Sequence, residues 1–176
     1  DTAYDRHQRN LRFQKEVETL RANRTDIYPV SVTVIKGNGH TGLPDRDLIS
    51  TMYTSVRNPV PCEISWLQTD AVITDLFWLH VARPGKGQDI MASCHDNRFV
   101  VTANEKVSEV QVLLDSRLVD FTKPVSLELN GSTTTRELKP SLKIFCETLA
   151  RRGDPAFAFS AVLEITKDKS GQLSVK

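Results

Sequence analysis

The stretch VTVIKGNGHTGLPDRDLIS, residues 32–50, sets His40 behind the glycine pair Gly37-Asn38-Gly39 and ahead of an apolar, helix-like run. Imidazole is the side chain whose proton affinity lies nearest neutrality, so a histidine held in a fixed place is a candidate general base. The glycines allow positive φ and a sharp turn. If the β-branched run before them is a strand, that turn leaves His40 at the carboxyl edge of a sheet, where open α/β folds collect their sites. A plain glycine-rich surface loop with a solvated histidine is the alternative reading. The glycine pair lacks the third glycine and following lysine of a phosphate loop.

The elements that would position this histidine are a helix, a strand and a second helix. Phe13, Val17 and Leu20 recur at helical spacing among charged residues, which predicts a helix over 3–22, although Tyr4 and Leu11 lie off that stripe. Val30, Val32, Val34 and Ile35 read as a short strand of the kind buried on both faces. Such a strand would expose an apolar edge, so it is expected to pair with the domain that follows, with another copy of the chain, or with a remodelled first helix. The second helix is expected to be capped by Asp45, to present Leu48, Ile49, Met52, Tyr53 and Val56 on one face, and to stop at Asn58-Pro59.

Pro59-Val60-Pro61 reads as a stiff connector, and beyond it the apolar period falls toward two. Strands are predicted at 62–67, 75–82, 88–94, 98–103, 107–114, 124–130, 132–138 and 157–166. Val125, Leu127 and Leu129 alternate with polar residues and lead into Asn130-Gly131, a dipeptide suited to a type I′ hairpin; Asp96-Asn97 predicts a second one. One helix interrupts the strands, with Leu142, Phe145, Cys146 and Leu149 as its stripe, Pro140 near its start and Arg151-Arg152-Gly153 at its end. The fold class is therefore α+β: a short helix-strand-helix α/β remnant over 1–58, an antiparallel β-sandwich-like domain with one inserted helix over 59–166, and a polar tail over 167–176 expected to fray.

Composition removes several classes of function. With 23 Lys+Arg against 22 Asp+Glu the net charge is +1, which gives no electrostatic footprint for nucleic acid. No apolar run approaches the roughly 20 residues of a membrane span. The chain starts at Asp1 without an initiator Met, as expected of a mature form or a fragment. Cys62, Cys94 and Cys146 are widely spaced and read as buried thiols. His7, His40, His80 and His95 show no metal-binding spacing, and neither a metal nor a cofactor is expected. His80 reads as a hydrogen-bonded sheet residue and Arg151-Arg152 as a solvated helix end. Trp66, Phe77 and Trp78 are core candidates or, alternatively, a sugar-stacking platform.

The strand, histidine loop and helix over residues 30–58 resemble the last strand, histidine loop and final helix of the α/β-hydrolase fold, whose triad runs Ser, acid, His along the chain. DTAYDR at residues 1–6 looks like the segment after the penultimate strand, where such enzymes carry the acid; Asp1 matches that position, with Asp5 as the second choice. RLVDFTKPVSLELNG at 117–131 and LARRGDPAFAFSAVLEI at 149–165 resemble the β-rich C-terminal extension of some bacterial α/β hydrolases of the esterase and peptidase kind. No G-x-S-x-G occurs in the chain.

The resemblance implies the C-terminal part of a secreted or cell-envelope serine hydrolase, carrying the catalytic base His40 and the acid Asp1 but no nucleophile, and inactive alone. Its expected partner is an upstream catalytic domain of the same polypeptide, with self-association through an exposed sheet edge as a further possibility. The competing reading is a non-catalytic β-sandwich module that binds a glycan or a protein. For Asp1, the plain alternative is a helix N-cap.

Overall fold

The computed structural model describes residues 4–24, 30, 32–35, 37, 46–168 and 171–175. The chain divides into two compact units, Asp1–Val56 and Arg57–Lys176.

In the first unit, α1 (Tyr4–Asn23) forms where the helical period predicts it. Its stripe is thinly covered, because Phe13 and Leu20 are exposed and Val17 is half-buried. Local terms support it, including an Asp5–Arg9 pair one turn apart at 2.6 Å. The strand expected over 30–35 is not formed, since the described residues of that run are irregular. A β-branched run becomes a strand only with a ladder partner, and no described strand lies in this unit. The carbonyls of Val30 and Val32 instead accept hydrogen bonds from Arg21 Nη1 (3.2 Å) and Gln14 Nε2 (3.0 Å) of α1.

The second helix, α2, spans only Leu48–Tyr53. Asp47 stands at its N-cap without a side-chain cap bond, while Asp45, the expected cap, lies outside the described residues. The helix ends at Thr54, so Val56 is not part of it and Asn58-Pro59 is not its stop. With no buried residue in the helix, little tertiary packing is available to prolong it.

The second unit is two five-stranded sheets. One has the order β1 (Glu63–Leu67), β4 (Asp89–His95), β5 (Arg98–Ala103), β7 (Val125–Leu129), β8 (Ser132–Arg136). The other has the order β10 (Leu173–Val175), β9 (Ala161–Lys167), β6 (Glu109–Leu114), β3 (Leu79–His80), β2 (Asp75–Leu76). All pairings are antiparallel except β5 with β7, which is parallel because β6, between them in sequence, lies in the other sheet. This is the β-sandwich-like domain expected, with its inserted helix.

Period-two burial places the core between the layers. Ile90, Ala92 and Cys94 of β4 and Val125, Leu127 and Leu129 of β7 point inward, as do Ala161, Leu163 and Ile165 of β9. Trp78, with no exposed surface, meets Phe99 of the facing sheet edge to face, with ring centroids 5.6 Å apart. Asp96 and Asn97 (φ 47° and 63°) and Asn130 and Gly131 (φ 47° and 87°) all take the positive φ that type I′ turns require, so both predicted hairpins form.

Several details depart from the sequence reading. The strand expected over 75–82 is a tight hairpin of β2 and β3, broken at Phe77, whose φ is 51°. The strand expected over 157–166 begins only at Ala161, since Pro155–Phe157 forms a 3-10 turn capped by Asp154. Part of the tail is ordered as β10, which pairs with β9.

The helix α3 (Leu142–Arg152) has the expected ends, with Ser141 as N-cap and Gly153 at φ 63° as C-cap. Its packing face is different from the one predicted. Leu142, Phe145 and Cys146 are exposed, and the buried residue is Thr148. Leu149, the last member of the expected stripe, is half-buried, and the Thr148 hydroxyl ties the helix to the backbone at Phe159.

Candidate functional site

His40 and Asp1, the residues expected to carry catalysis, both lie outside the described residues. What is described of their setting is the end of the glycine turn and the helices on either side. Gly37 has a φ of 82°, the left-handed conformation the turn was expected to need. Asp5, the second choice for the acid, lies in the first turn of α1 and is paired with Arg9 on an exposed surface.

Farther along the chain every apolar residue of α2 is exposed: Leu48, Ile49, Met52 and Tyr53, the last at 90 %. Val56 just beyond the helix is exposed as well, and Phe13 and Leu20 of α1 add to the same kind of surface. A helix that shows its whole apolar side to water is incomplete as a folding element, because that surface is stabilising only when covered.

The second unit contains a histidine and a carboxylate that do meet. The β2–β3 register sets Asp75 opposite His80, and His80 Nδ1 lies 3.0 Å from Asp75 Oδ1. Thr74 Oγ1 donates to Asp75 Oδ2 at 2.7 Å. From the end of α3, Arg152 Nη1 approaches Oδ1 to 3.1 Å and Arg151 Nε to 3.5 Å. No N–H of Arg152 Nη1 is aligned on an acceptor, so that contact is an ion pair without a hydrogen bond.

Burial by itself would raise the Asp75 carboxyl. The hydrogen bonds from His80 and Thr74 and the charges of His80 and Arg151 outweigh it and hold the group well below the usual carboxylate range. The Arg152 guanidinium also stacks on the Phe157 ring at 4.3 Å, and Arg57 stacks on the same ring at 4.5 Å while bonding Asp154 at 2.7 Å. The pair Arg151-Arg152, expected as a solvated helix end, is therefore an anchor that ties α3 to the β2–β3 hairpin. The Thr74 hydroxyl donates to Asp75 and so is not aligned on His80, and the pairs made by Asp75 tie the hairpin to the end of α3.

A wide groove of about 820 Å³ opens at one end of the sandwich, lined among others by Cys62, Cys94, His95, Asp96, Arg117 and Lys123. His95 Nδ1 pairs with Asp96 Oδ2 at 2.8 Å on an exposed turn, while its neighbour Cys94 points inward, as strand alternation predicts. Cys62 and Cys146 are exposed, contrary to the expectation of three buried thiols. Cys62 lies directly across from Cys94, a juxtaposition that spacing along the sequence hides and strand register reveals.

Among the described residues no three His, Cys, Asp or Glu side chains cluster as a metal site requires. None of the described helices is long and apolar enough to cross a membrane. Trp66 and Trp78 are buried and cannot form an exposed stacking platform. The chain has no significant match among protein-family models, curated proteins or solved structures.

Proposed function

We propose that this chain is the C-terminal part of a serine hydrolase acting on ester or amide bonds, with residues 59–166 as an accessory β-sandwich that packs on the catalytic core or shapes access to it. The observation that carries the reading is the uncovered apolar side of α2, with Leu48, Ile49, Met52 and Tyr53 all exposed a few residues after His40 in the sequence. Elements patterned this way are suited to close over a larger sheet, and the resemblance of residues 1–58 to the end of an α/β-hydrolase domain supplies such a sheet.

In this reading a serine Oγ from the upstream domain attacks the carbonyl of the substrate. His40 takes its proton and passes it to the leaving group, and Asp1 holds the imidazole in the required tautomer. The nucleophile and the donors that stabilise the tetrahedral oxyanion belong to the upstream domain, so the chain alone is inactive.

A serine-reactive fluorophosphonate tests this directly. The longer polypeptide is expected to label and to lose turnover on His40→Ala, while residues 1–176 alone do not label. A longer polypeptide that neither labels nor turns over esters or amides overturns the reading. The second unit has a hydrophobic core of its own, which favours, as the second reading, a self-standing non-catalytic module that binds a glycan or a protein; that is the outcome an inert longer polypeptide would leave.

A further inference from the structure

The antiparallel register of β1 and β4 pairs Glu63 with Ser93, and the next pair outward is Cys62 with Cys94. The amide of Cys94 donates to the carbonyl of Cys62 at 2.9 Å, which makes this a hydrogen-bonded cross-strand pair with both side chains on one face. The two thiols are close enough to share a hydrogen bond. Both border the groove at the end of the sandwich, Cys62 exposed and Cys94 buried behind it.

We propose that Cys62 and Cys94 form a reversible cross-strand disulfide by exchange with a low-molecular-weight disulfide that enters this groove. The inference is independent of the hydrolase reading. In a hydrogen-bonded pair the Cα atoms are about 5.5 Å apart, within the range a disulfide spans. The Cβ atoms of such a pair stand about 4.5–5.5 Å apart, wider than the roughly 3.5–4.5 Å a bridge takes. Closing the bond must therefore draw β1 toward β4, and a bridge under that tension is easily reduced again.

The exposure of the two sulfurs sets the order of events. Cys62, as thiolate, attacks one sulfur of the small disulfide; the S–S bond breaks and one thiolate departs and is protonated. The Cys94 thiol then gives its proton to solvent and its sulfur displaces the second small thiolate from Cys62, forming the intramolecular bond. Two protein thiols are oxidised and one small disulfide is reduced to two thiols. Burial, and then the neighbouring Cys62, push the Cys94 thiol up to about 12, so Cys94 is the resolving and not the attacking group.

The test uses the full chain carrying Cys146→Ser, which removes the remaining exposed thiol, exposed to oxidised glutathione and digested without reductant. The expected product is a peptide pair joined through residues 62 and 94, with both thiols lost to a thiol reagent and both recovered under reduced glutathione without denaturant. A product carrying only glutathione on Cys62, or only chains joined through Cys62 to one another, overturns the proposal. A bridge that resists reduced glutathione overturns its reversibility. Cys62→Ser, a change at an exposed position that leaves the core intact, is expected to abolish the linked peptide and leave Cys94 unreactive in the folded chain; rapid reaction of Cys94 in that variant contradicts the assigned order.

Discussion

The hydroxyl of Thr148 accepts a hydrogen bond from the amide of Phe159 at 2.9 Å and lies 3.0 Å from the carbonyl of the same residue. One side chain of α3 thus replaces a strand as the partner of a backbone segment just ahead of β9. The hydroxyl also lies near the carbonyls of Ile144 and Phe145, one turn back in its own helix, so its single proton is shared among three acceptors.

Thr148→Val keeps the shape and removes this partner, leaving the Phe159 amide buried and unpaired. The expected loss is about 1–3 kcal/mol, the cost of an unsatisfied buried donor. Thr148→Ser keeps the hydroxyl and should lose less. Urea denaturation of the two variants and the parent checks the ranking; a midpoint for Ser below that of Val would show that packing of the methyl, and not the hydroxyl, holds α3.

Asp75 gives a pH prediction with a definite sign. Its carboxyl is held below the ordinary value of 3.8 in the folded chain. Its contribution to stability is therefore complete above that value and is lost as pH falls from there through the lower folded value. Asp75→Asn strips the half-buried Arg152 of its counter-charge and takes a charged acceptor from His80 and Thr74, and the expected cost near neutral pH is about 1–3 kcal/mol. The gap between parent and variant should narrow as the pH is lowered below 3.8. Thermal melts across an acid series measure it, and a constant gap would contradict the assignment.

The hairpin between β7 and β8 separates backbone strain from side-chain bonding. A Cβ at Gly131 would meet no atom within 4 Å, yet the residue sits at φ 87°, so Gly131→Ala should cost about 1–2 kcal/mol through the backbone alone. Asn130 tolerates its own positive φ and also bonds Ala103 twice, accepting from its amide at 2.9 Å and donating to its carbonyl at 3.1 Å. Asn130→Gly relieves the backbone but breaks both bonds, and is expected to be destabilising as well. Chemical denaturation of each variant checks both losses; an Asn130→Gly variant at least as stable as the parent would show that backbone relief outweighs the two bonds to Ala103.

Ile49, Met52 and Tyr53 should tolerate replacement by serine in the present chain with changes within about 0.5 kcal/mol, as exposed positions do. In the longer polypeptide proposed above, the same changes should destabilise the catalytic domain. Melting both forms compares the two directly, and neutrality in the longer form would count against a covering partner at α2.

The parts of the fold legible in the sequence are those decided by neighbouring residues. Asp96-Asn97 and Asn130-Gly131 turn where they do because their own backbones accept positive φ, and β7 follows from its own alternation. Residues 30–35 have the composition of a strand, yet those described are irregular and have no ladder partner among the described residues, which no local pattern can supply. The stripe of α3 predicted burial of Leu142, Phe145 and Cys146, whereas Thr148 is the buried residue because a distant backbone segment needed a hydroxyl. The facing of Cys62 and Cys94 across thirty-odd intervening residues likewise depends on register, the quantity least visible along a chain. His40 was singled out by its glycines and lies outside the described residues, as does Asp1.

The chain leaves one layer of the sandwich after β5, lays β6 in the opposite layer, and returns to set β7 beside β5. Each layer is therefore discontinuous in sequence and interlocked with the other. No single backbone cut between these strands releases a half that retains all its neighbours, and opening either layer strips the other. The unit should come apart as one all-or-none event and assemble slowly, since its pairings join distant stretches. Amides of Val101 and Val112, in opposite layers, should then exchange with solvent through the same global opening.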